Sequence, residues 1–323
     1  MITLLSNNLS ALDDNKVGFA NFLVKEGKSV FIGDVNSLRF VDGNFLVEGA
    51  RVLETLNLYA GIAADITFKI DESEVVWLLN QPAPGYGIDA WSLLYSLSLF
   101  VPMVNNPATM LLANNKAFVC SLDRDYRPDL IVSPFFRDHS LFATRRGHAV
   151  IKALGDGCGN GVFLIKPDDS NAKAMQQFLT GSGSGEHIHS DRVTGLKNRY
   201  VTSQEVLSNR LEYRIILCGG KVVGAHGRIP PENEHRGNIS QGAAYYTVAD
   251  EQLDLIKDRW SSLAIHLSNM GINYCGLDVL DGKVIELNLV DPGGLWDIYT
   301  EEDINLFPEA WRLISESLAS KRK

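Results

Sequence analysis

The stretch Asn273-Tyr-Cys-Gly-Leu-Asp-Val-Leu-Asp-Gly-Lys-Val-Ile-Glu-Leu-Asn-Leu-Val-Asp-Pro-Gly-Gly-Leu-Trp296 reads as two apolar strands meeting at a turn around Asp281-Gly282. Three side chains that offer oxygen, Asp278, Glu286 and Asn288, interrupt the apolar run. Glu286 and Asn288 are two residues apart and therefore share a strand face. A two-residue turn at Asp281-Gly282 sets Asp278 opposite Ile285, on the other face, whereas a three-residue loop from Asp281 to Lys283 sets it opposite Glu286. The expectation is the longer loop, or a bulge with the same effect. Two carboxylates and an amide oxygen on one sheet face suit a hard cation such as magnesium, which takes few protein oxygens and fills its octahedron with water and nucleotide phosphates. A hairpin with one polar face in solvent accounts for the same residues.

Working outward, a chain of 323 residues is long for one core and suggests about two domains. A content of 45% hydrophobic and 21% charged residues is that of an ordinary globular protein. The formal charge of -9 argues against a nucleic-acid or membrane surface, yet thirty lysines and arginines suffice to build an anion pocket. The four cysteines, Cys120, Cys158, Cys218 and Cys275, form no C-x-x-C pair, so neither a zinc site nor a disulfide framework is indicated. No basic region precedes the apolar residues of Met1 to Asn8, as a signal peptide would require, and Trp91 to Val104 is too short and polar to span a membrane. The expected compartment is the cytoplasm.

Residues 1–113 read as an α/β unit: strands at 2–5, 29–33 and 75–79, a helix at 17–25, and a hairpin at 37–49 turning at Asp42-Gly43. The loop Asn80-Gln-Pro-Ala-Pro-Gly-Tyr-Gly87 cannot be helical, and Asp89 is expected to cap the apolar helix that follows. Such a loop is where open α/β sheets place ligands, and it is equally an ordinary connector. From residue 114 the pattern changes. Lys152 sits in a short apolar strand that runs into Gly155-Asp-Gly-Cys-Gly-Asn-Gly161, with another strand at 162–165. Glycines there let backbone N–H groups point at phosphate oxygens, but the order is neither a Walker loop nor a Rossmann fingerprint. Residues 180–195 read as a surface loop in which His187 and His189 are more simply solvated than metal-bound. Residues 200–206 read as an edge-like strand and 211–218 as another, which turns into 222–225. The loop from Gly227 to Gly242, with Arg228 and Arg236 bracketing Pro230-Pro231, suits phosphate or carboxylate recognition as well as it suits a solvated basic loop. Leu253, Ile256, Trp260, Leu263 and Leu267 mark a packing helix, and the chain closes on another.

Taken together these pieces resemble an ATP-grasp ligase of the prokaryotic glutathione synthetase type. The resemblance is strongest over Arg228-Ile229-Pro230, Arg236-Gly237-Asn238 and Gly242, and over Gly276-Leu277-Asp278 with Glu286-Leu287-Asn288. Weaker echoes, in the family's order, cover nearly the whole chain. The resemblance implies an α+β ATP-grasp fold: a substrate-side α/β domain at 1–113, then an ATP-grasp domain at 114–323 with subdomains at about 114–200 and 201–323. It implies ATP and Mg2+ (two ions, with Mn2+ as a substitute). The nucleotide would be held by Lys116, Lys152, the loop Asp156, Gly157, Cys158, Gly159, the linker Gln204, Glu205, Val206, Leu207, and Glu212. Metal would bind at Asp278, Glu286 and Asn288. Arg214, Arg228 and Lys152 would be catalytic, acting on charge that develops during phosphoryl and acyl transfer. Arg228, Arg236, Asn238, Asp291, Pro292 and Gly293 would line the substrate pocket. The reaction implied is γ-glutamylcysteine plus glycine, or a related small pair, joined through an acyl phosphate.

Three departures bear on that expectation. The glycine loop carries an extra Gly155, and the linker reaches its arginine about two residues early. The family's Thr-Ser-Pro-Thr after the metal asparagine is here Val290-Asp291-Pro292-Gly293. Asp291 would repel a substrate carboxylate unless a cation pairs with it, so an amine-bearing or otherwise altered co-substrate fits this loop better. The partners expected are a small carboxylate and a small amine, with no nucleic acid or membrane. A homo-oligomer is compatible with the resemblance, although nothing in the sequence marks an interface. A non-catalytic ATP-binding sensor or scaffold and a ligase acting on peptide ends are the alternative readings.

Overall fold

A computed structural model describes residues 1–155, 160–166, 168–181, 199–232, 237, 239 and 242–320. The described strands form three sheets. The first holds β1 (Ile2–Ser6), β2 (Val30–Asp34), β3 (Arg39–Val41), β4 (Asn44–Val52), β5 (Ile66–Lys69), β6 (Val75–Leu78) and β7 (Met103–Val104). Its order is β3-β4-β2-β1-β6-β7, with β5 beside β4. The pairs β1–β2, β1–β6 and β6–β7 are parallel, and β1 and β6 are buried along their whole length, hence their unbroken apolar runs. The β3–β4 hairpin turns at Asp42 (φ 51°) and Gly43 (φ 78°), as an Asp-Gly type I′ turn requires. Helices α1 (Asp14–Lys25), α2 (Gly87–Ser98) and α3 (Pro107–Ala113) accompany it. Helix α2 begins three residues earlier than the sequence suggests, with Tyr86 as its cap, so Asp89 lies in its first turn, where the dipole still favours it, rather than at the cap.

The second sheet holds β8 (Leu130–Ser133), β9 (Ala149–Ala153), β10 (Val162–Ile165) and β11 (Val201–Gln204), with α4 (Phe136–Arg146) and α5 (Ala172–Thr180). Strand β11 is not an edge. It pairs with both β8 and β9, and all four of its residues are buried. Its polar side chains misled the sequence reading because they are satisfied inside: Ser203 Oγ bonds His139 Nδ1 at 2.7 Å.

The third sheet holds β12 (Glu212–Cys218), β13 (Lys221–Ile229), β14 (Ala244–Thr247), β15 (Tyr274–Leu280) and β16 (Lys283–Asn288), antiparallel in the order β14-β13-β12-β15-β16. Helix α6 (Asp250–Asn269) buries the expected stripe of Ile256, Trp260, Leu263 and Leu267 against it. Helices α7 (Leu295–Glu302) and α8 (Phe307–Ser320) close the chain.

The first and third sheets share a core. Phe19 of α1 lies 4.1 Å from the Trp77 ring, 5.7 Å from Tyr274 and 4.8 Å from Phe307, measured between centroids. Helix α1 approaches so closely that a Cβ on Gly18 would fall 2.2 Å from the Phe307 ring. Asn105, just after β7, stitches the two units with one side chain. Its Oδ1 accepts from the backbone N–H of Asn273 and Tyr274, each at 2.7 Å, and its Nδ2 donates to Tyr274 O at 2.7 Å. This fixes the start of β15, and therefore the hairpin, against the N-terminal unit.

Replacing Asn105 with alanine leaves those buried backbone groups unpaired and is expected to lower unfolding free energy by ~2–4 kcal/mol in urea denaturation. A variant as stable as the parent would show that the stitch is dispensable.

Candidate active site

The β15–β16 hairpin takes the bulged form of the two expected alternatives. Asp281 (φ 50°) and Gly282 (φ 68°) make a two-residue turn, with Leu280 paired to Lys283. The register then shifts: Val279 pairs with Val284 but Asp278 pairs with Glu286, so Ile285 is the extra residue of a bulge. The bulge brings Asp278 opposite Glu286, and the Ile285 carbonyl accepts from Lys152 Nζ at 3.4 Å. Asp281 has a further use. Its Oδ2 accepts from Ser208 N at 2.7 Å and Asn209 N at 3.2 Å, tying the linker between the second and third sheets to the hairpin turn.

Antiparallel pairing places directly opposed residues on one face. Glu212 opposes Arg228, Arg214 opposes both His226 and Asp278, and Gly276 opposes Asn288. Four strands thus deliver Glu212, Arg214, His226, Arg228, Asp278, Glu286 and Asn288 to one face of the third sheet. Asp278 is its centre and is 4% exposed. Its Oδ1 accepts from Arg214 Nε at 2.7 Å and Arg228 Nη2 at 2.5 Å, and its Oδ2 from Arg214 Nη2 at 3.2 Å and Asn288 Nδ2 at 3.1 Å. Burial opposes ionisation of Asp278, but Arg214 and Arg228 overcome it and hold the carboxyl well below the usual range. Arg228 also pairs with Glu212, whose carboxyl burial pushes up against the pull of that arginine. Gly276 makes room for the network: a Cβ there would meet Arg214 Cδ at 2.9 Å.

Two lysines face this set from the other side. Lys116 opens a 3-10 helix (Lys116–Ser121), and its Nζ lies 3.2 Å from Glu286 Oε1. Its backbone N–H bonds Leu154 O at 3.1 Å, where β9 gives way to the glycine loop. Lys152 in β9 is buried, and desolvation lowers its pKa against the opposing pull of Glu286 and Glu212. Cations carried by the second sheet's side therefore confront carboxylates carried by the third.

In the linker, Gln204 is buried at the end of β11 and Val206 is exposed. The Glu205 carboxylate is engaged elsewhere, accepting from Asp129 N at 2.8 Å and Arg146 Nη1 at 3.2 Å. Asp156, Gly157, Cys158, Gly159, Arg236 and Asn238, together with His187 and His189, lie outside the described residues.

The loop after β16 meets the condition that its sequence set. Asp291 (φ 43°) pairs with Lys16 Nζ at 2.6 Å and accepts from Asn15 Nδ2 at 2.7 Å, while Lys16 also binds Asp13 at 2.5 Å. Burial works against the Lys16 charge, and Asp291 and Asp13 more than restore it. Carboxylate oxygens of Asp13, Asp14 and Asp291 lie within 4.8 Å of one another, with the Lys16 ammonium already bound to two of those side chains. Pro292 packs behind Gly276, and Gly293 (φ 64°) and Gly294 (φ 97°) carry the chain past Arg214 into α7.

Sequence reasoning missed Asn15, Lys16, His226 and Asp297. His226 had a signal: it precedes Arg228 by two residues on one strand and so shares its face. Its ring stacks on Tyr245 at 4.9 Å, and its Nε2 lies 3.6 Å from Asp297 Oδ2. Burial, with Arg228 and Arg214 adding to it, lowers its pKa to about 3. Lys16 had none, being 275 residues from its partner.

Residues 115–303 match the family described as prokaryotic glutathione synthetase, ATP-grasp domain. The chain belongs to that family. It is an ATP-grasp ligase family that uses ATP and Mg2+. Among curated proteins, the chain is 29% identical over 212 residues to the glutathione synthetase of Thermosynechococcus vestitus, covering 63% of this chain and 61% of that protein. With the glutathione synthetase of a Synechocystis species it is 24% identical over 318 residues, 91% of each. Among solved structures, the macrocyclase MdnC bound with precursor peptide MdnA, from Microcystis aeruginosa, aligns over 99% of this chain and 100% of that one, with TM-score 0.63 and 16% identity. D-cycloserine synthetase DcsG aligns over 97% of this chain and 100% of that one, with TM-score 0.62 and 14% identity. These likenesses show the ATP-grasp fold. Among the described residues, no helix is long and apolar enough to cross a membrane.

Asp278, Glu286 and Asn288 carry on one face the kinds of oxygen that magnesium takes. Asp278 already accepts from Arg214, Arg228 and Asn288, and Glu286 pairs with Lys116, so a cation there would share or displace those donors, while Asn288 keeps its amide oxygen for another partner.

His226 makes this face sensitive to acid. Its folded pKa lies below the unfolded value, so the unfolded chain binds the proton first, and stability is intact above the unfolded value and lost as pH falls towards the folded one. Exchanging His226 for glutamine should remove about 1.4 kcal/mol per pH unit of that slope below pH ~6.5 in urea melts at graded pH. An unaltered slope would mean that the folded protein protonates this ring.

Proposed function

We propose that the protein joins a carboxylate to an amine at the expense of ATP, with glutathione synthetase-like chemistry and an altered acceptor side. The observation that carries this reading is the confrontation of Lys116 and Lys152 with the face that holds Asp278, Glu286, Asn288, Arg214 and Arg228. In it, residues 114–323 clasp the nucleotide, and residues 1–113 contribute to the substrate side. Lys116 and Lys152 bind the phosphates of ATP; each is already drawn to the hairpin and exchanges that contact for a phosphate oxygen. A substrate carboxylate oxygen attacks the γ-phosphorus, ADP leaves, and an acyl phosphate forms. The amine then attacks the acyl carbon and phosphate leaves. Arg214 and Arg228 neutralise charge on the transferring phosphoryl group and on the tetrahedral species. Magnesium at Asp278, Glu286 and Asn288 would offset charge between the phosphates.

The first pair to consider is γ-glutamylcysteine with glycine, which the family and its named relatives support. The acceptor loop supports a changed pocket. Asp291 does not stand there as a bare anion, because Lys16 and Asn15 bind it, and a small polar contact is thereby replaced with a bridge to α1. A second reading, ligation on a peptide, draws support from MdnC, whose structure holds a precursor peptide.

The test is ADP release by the purified protein with Mg-ATP, first with γ-glutamylcysteine and glycine, then with panels of carboxylates, amines and peptides, with products identified by mass spectrometry. Lys152→Ala and Glu286→Ala are each expected to lower turnover at least ~10²-fold. Undiminished turnover in either variant would remove that residue from the site. ATP binding with no release of ADP under any pair would favour a sensor.

A further inference from the structure

We propose that Asp297, held in place by His226, accepts the proton of the attacking amine. The inference rests on the ligase reading and adds to it the group that completes its second step.

Asp297 is the third residue of α7, the helix that begins directly after the acceptor loop. A plain structural duty exists for it, since an acidic residue at this position reaches back to the helix N-cap, and the Gly294 N–H does draw on the carboxylate. That duty does not explain His226. The imidazole is 1% exposed, and neither ring nitrogen has a hydrogen-bond partner. A buried polar ring without partners is costly. Apolar packing would serve the position: Gly224, the next residue on that face, is already covered by Ile298 and Leu306. What the ring does face is the Asp297 carboxylate, 3.6 Å from Nε2.

Other carboxylates of the site are committed. Asp278 is bound by Arg214 and Arg228, Glu212 by Arg228, Glu286 by Lys116, and Asp291 by Lys16. Asp297 instead faces the neutral imidazole and is the partly open member of the two, with its side chain 34% exposed against 1% for His226. The carboxylate can therefore touch a substrate, and the imidazole acts through it as a positioning residue. Around them stand Arg214 of β12, Arg228 of β13, Tyr245 of β14, Asp14 of α1 and Glu301 of α7 itself. Desolvation raises the Asp297 pKa, and the two arginines pull it back.

In the step assigned here, the bound ammonium gives one proton to Asp297, and the freed amine nitrogen then forms its bond to the acyl carbon and passes its second proton to the departing phosphate. The carbon–oxygen bond to phosphate breaks, and phosphate carries away the electron pair. His226, kept neutral by burial, backs the carboxylate with its Nε2 at 3.6 Å and fixes its position as the proton arrives. Asp297 then releases its proton to solvent through its exposed side.

The experiment compares two amines on the full chain with Mg-ATP and γ-glutamylcysteine. Glycine arrives as an ammonium and must be deprotonated; hydroxylamine is largely a free base at neutral pH. Asp297→Asn is expected to lower glycine-dependent amide formation by ~10²–10⁴-fold while hydroxamate formation changes only a few-fold. His226→Gln should give a smaller loss in kcat, unchanged KM for ATP and a displaced pH profile, which a merely structural role would not produce. Equal losses with both amines, or no loss with glycine, would overturn the proposal. If the parent protein forms no product from γ-glutamylcysteine, that substrate pair falls, and Asp297 is read separately by carboxyl 13C NMR of the full chain. Its resonance, assigned with Asp297→Asn, must shift more with ethylammonium chloride than with potassium chloride. A resonance that responds equally to both salts would overturn the assignment.

Discussion

A carboxylate buried in a sheet between two arginines governs this molecule. Asp278 takes donors from Arg214, Arg228 and Asn288, and so joins β12, β13, β15 and β16 by side chains as well as by backbone. Removing water from such a group is unfavourable unless its lone pairs are filled. Here four donor contacts fill them. Several local features exist because of that arrangement: the glycine at 276 that yields space to Arg214, the bulge at Ile285 that brings Glu286 alongside, and the glycines that lead the chain past Arg214. The network also explains why Glu212 and His226 sit in such different electrostatic surroundings although both oppose arginines across β12 and β13. Glu212 shares the arginine charge, whereas His226 is repelled by it.

The second consequence is a division of labour between sheets. Basic groups come from β9 and the 3-10 helix at Lys116, and acidic groups from the β15–β16 hairpin they meet. The linker between the sheets is anchored at both ends, by Asp281 to the hairpin turn and by Glu205 to Asp129 and Arg146. A third party enters from α1, whose Asn15 and Lys16 bind Asp291. The loop at Asp291 is thus a joint product of both ends of the chain, and its charges are set apart from those that the third sheet and the two lysines bring together.

Much of this was legible along the chain. Alternation placed Glu286 and Asn288 together, the Asp-Gly dipeptide announced a tight turn, and the need to bring Asp278 to the same face called for a longer loop or a bulge. The bulge is what formed, because an Asp-Gly I′ turn matches the twist of the strands and a bulge restores the face. The same alternation would have disclosed His226 from Arg228. Strand β11 was less legible: Thr202, Ser203 and Gln204 look like the polar face of an edge, and their burial depends on partners such as His139 on a neighbouring helix.

By itself the sequence determined the element types, the ATP-grasp family and the residue kinds on the face around Asp278, since these depend on short-period patterns and on motifs that stand close together. The tertiary structure alone decided that Lys16 neutralises Asp291, that Asn105 pins the start of β15, and that Asp297 meets an imidazole. The reason is physical. A strand's face is set by its own two-residue repeat, whereas the partner of a buried charge is set by how helices and sheets far apart in sequence pack, and no local pattern encodes that distance.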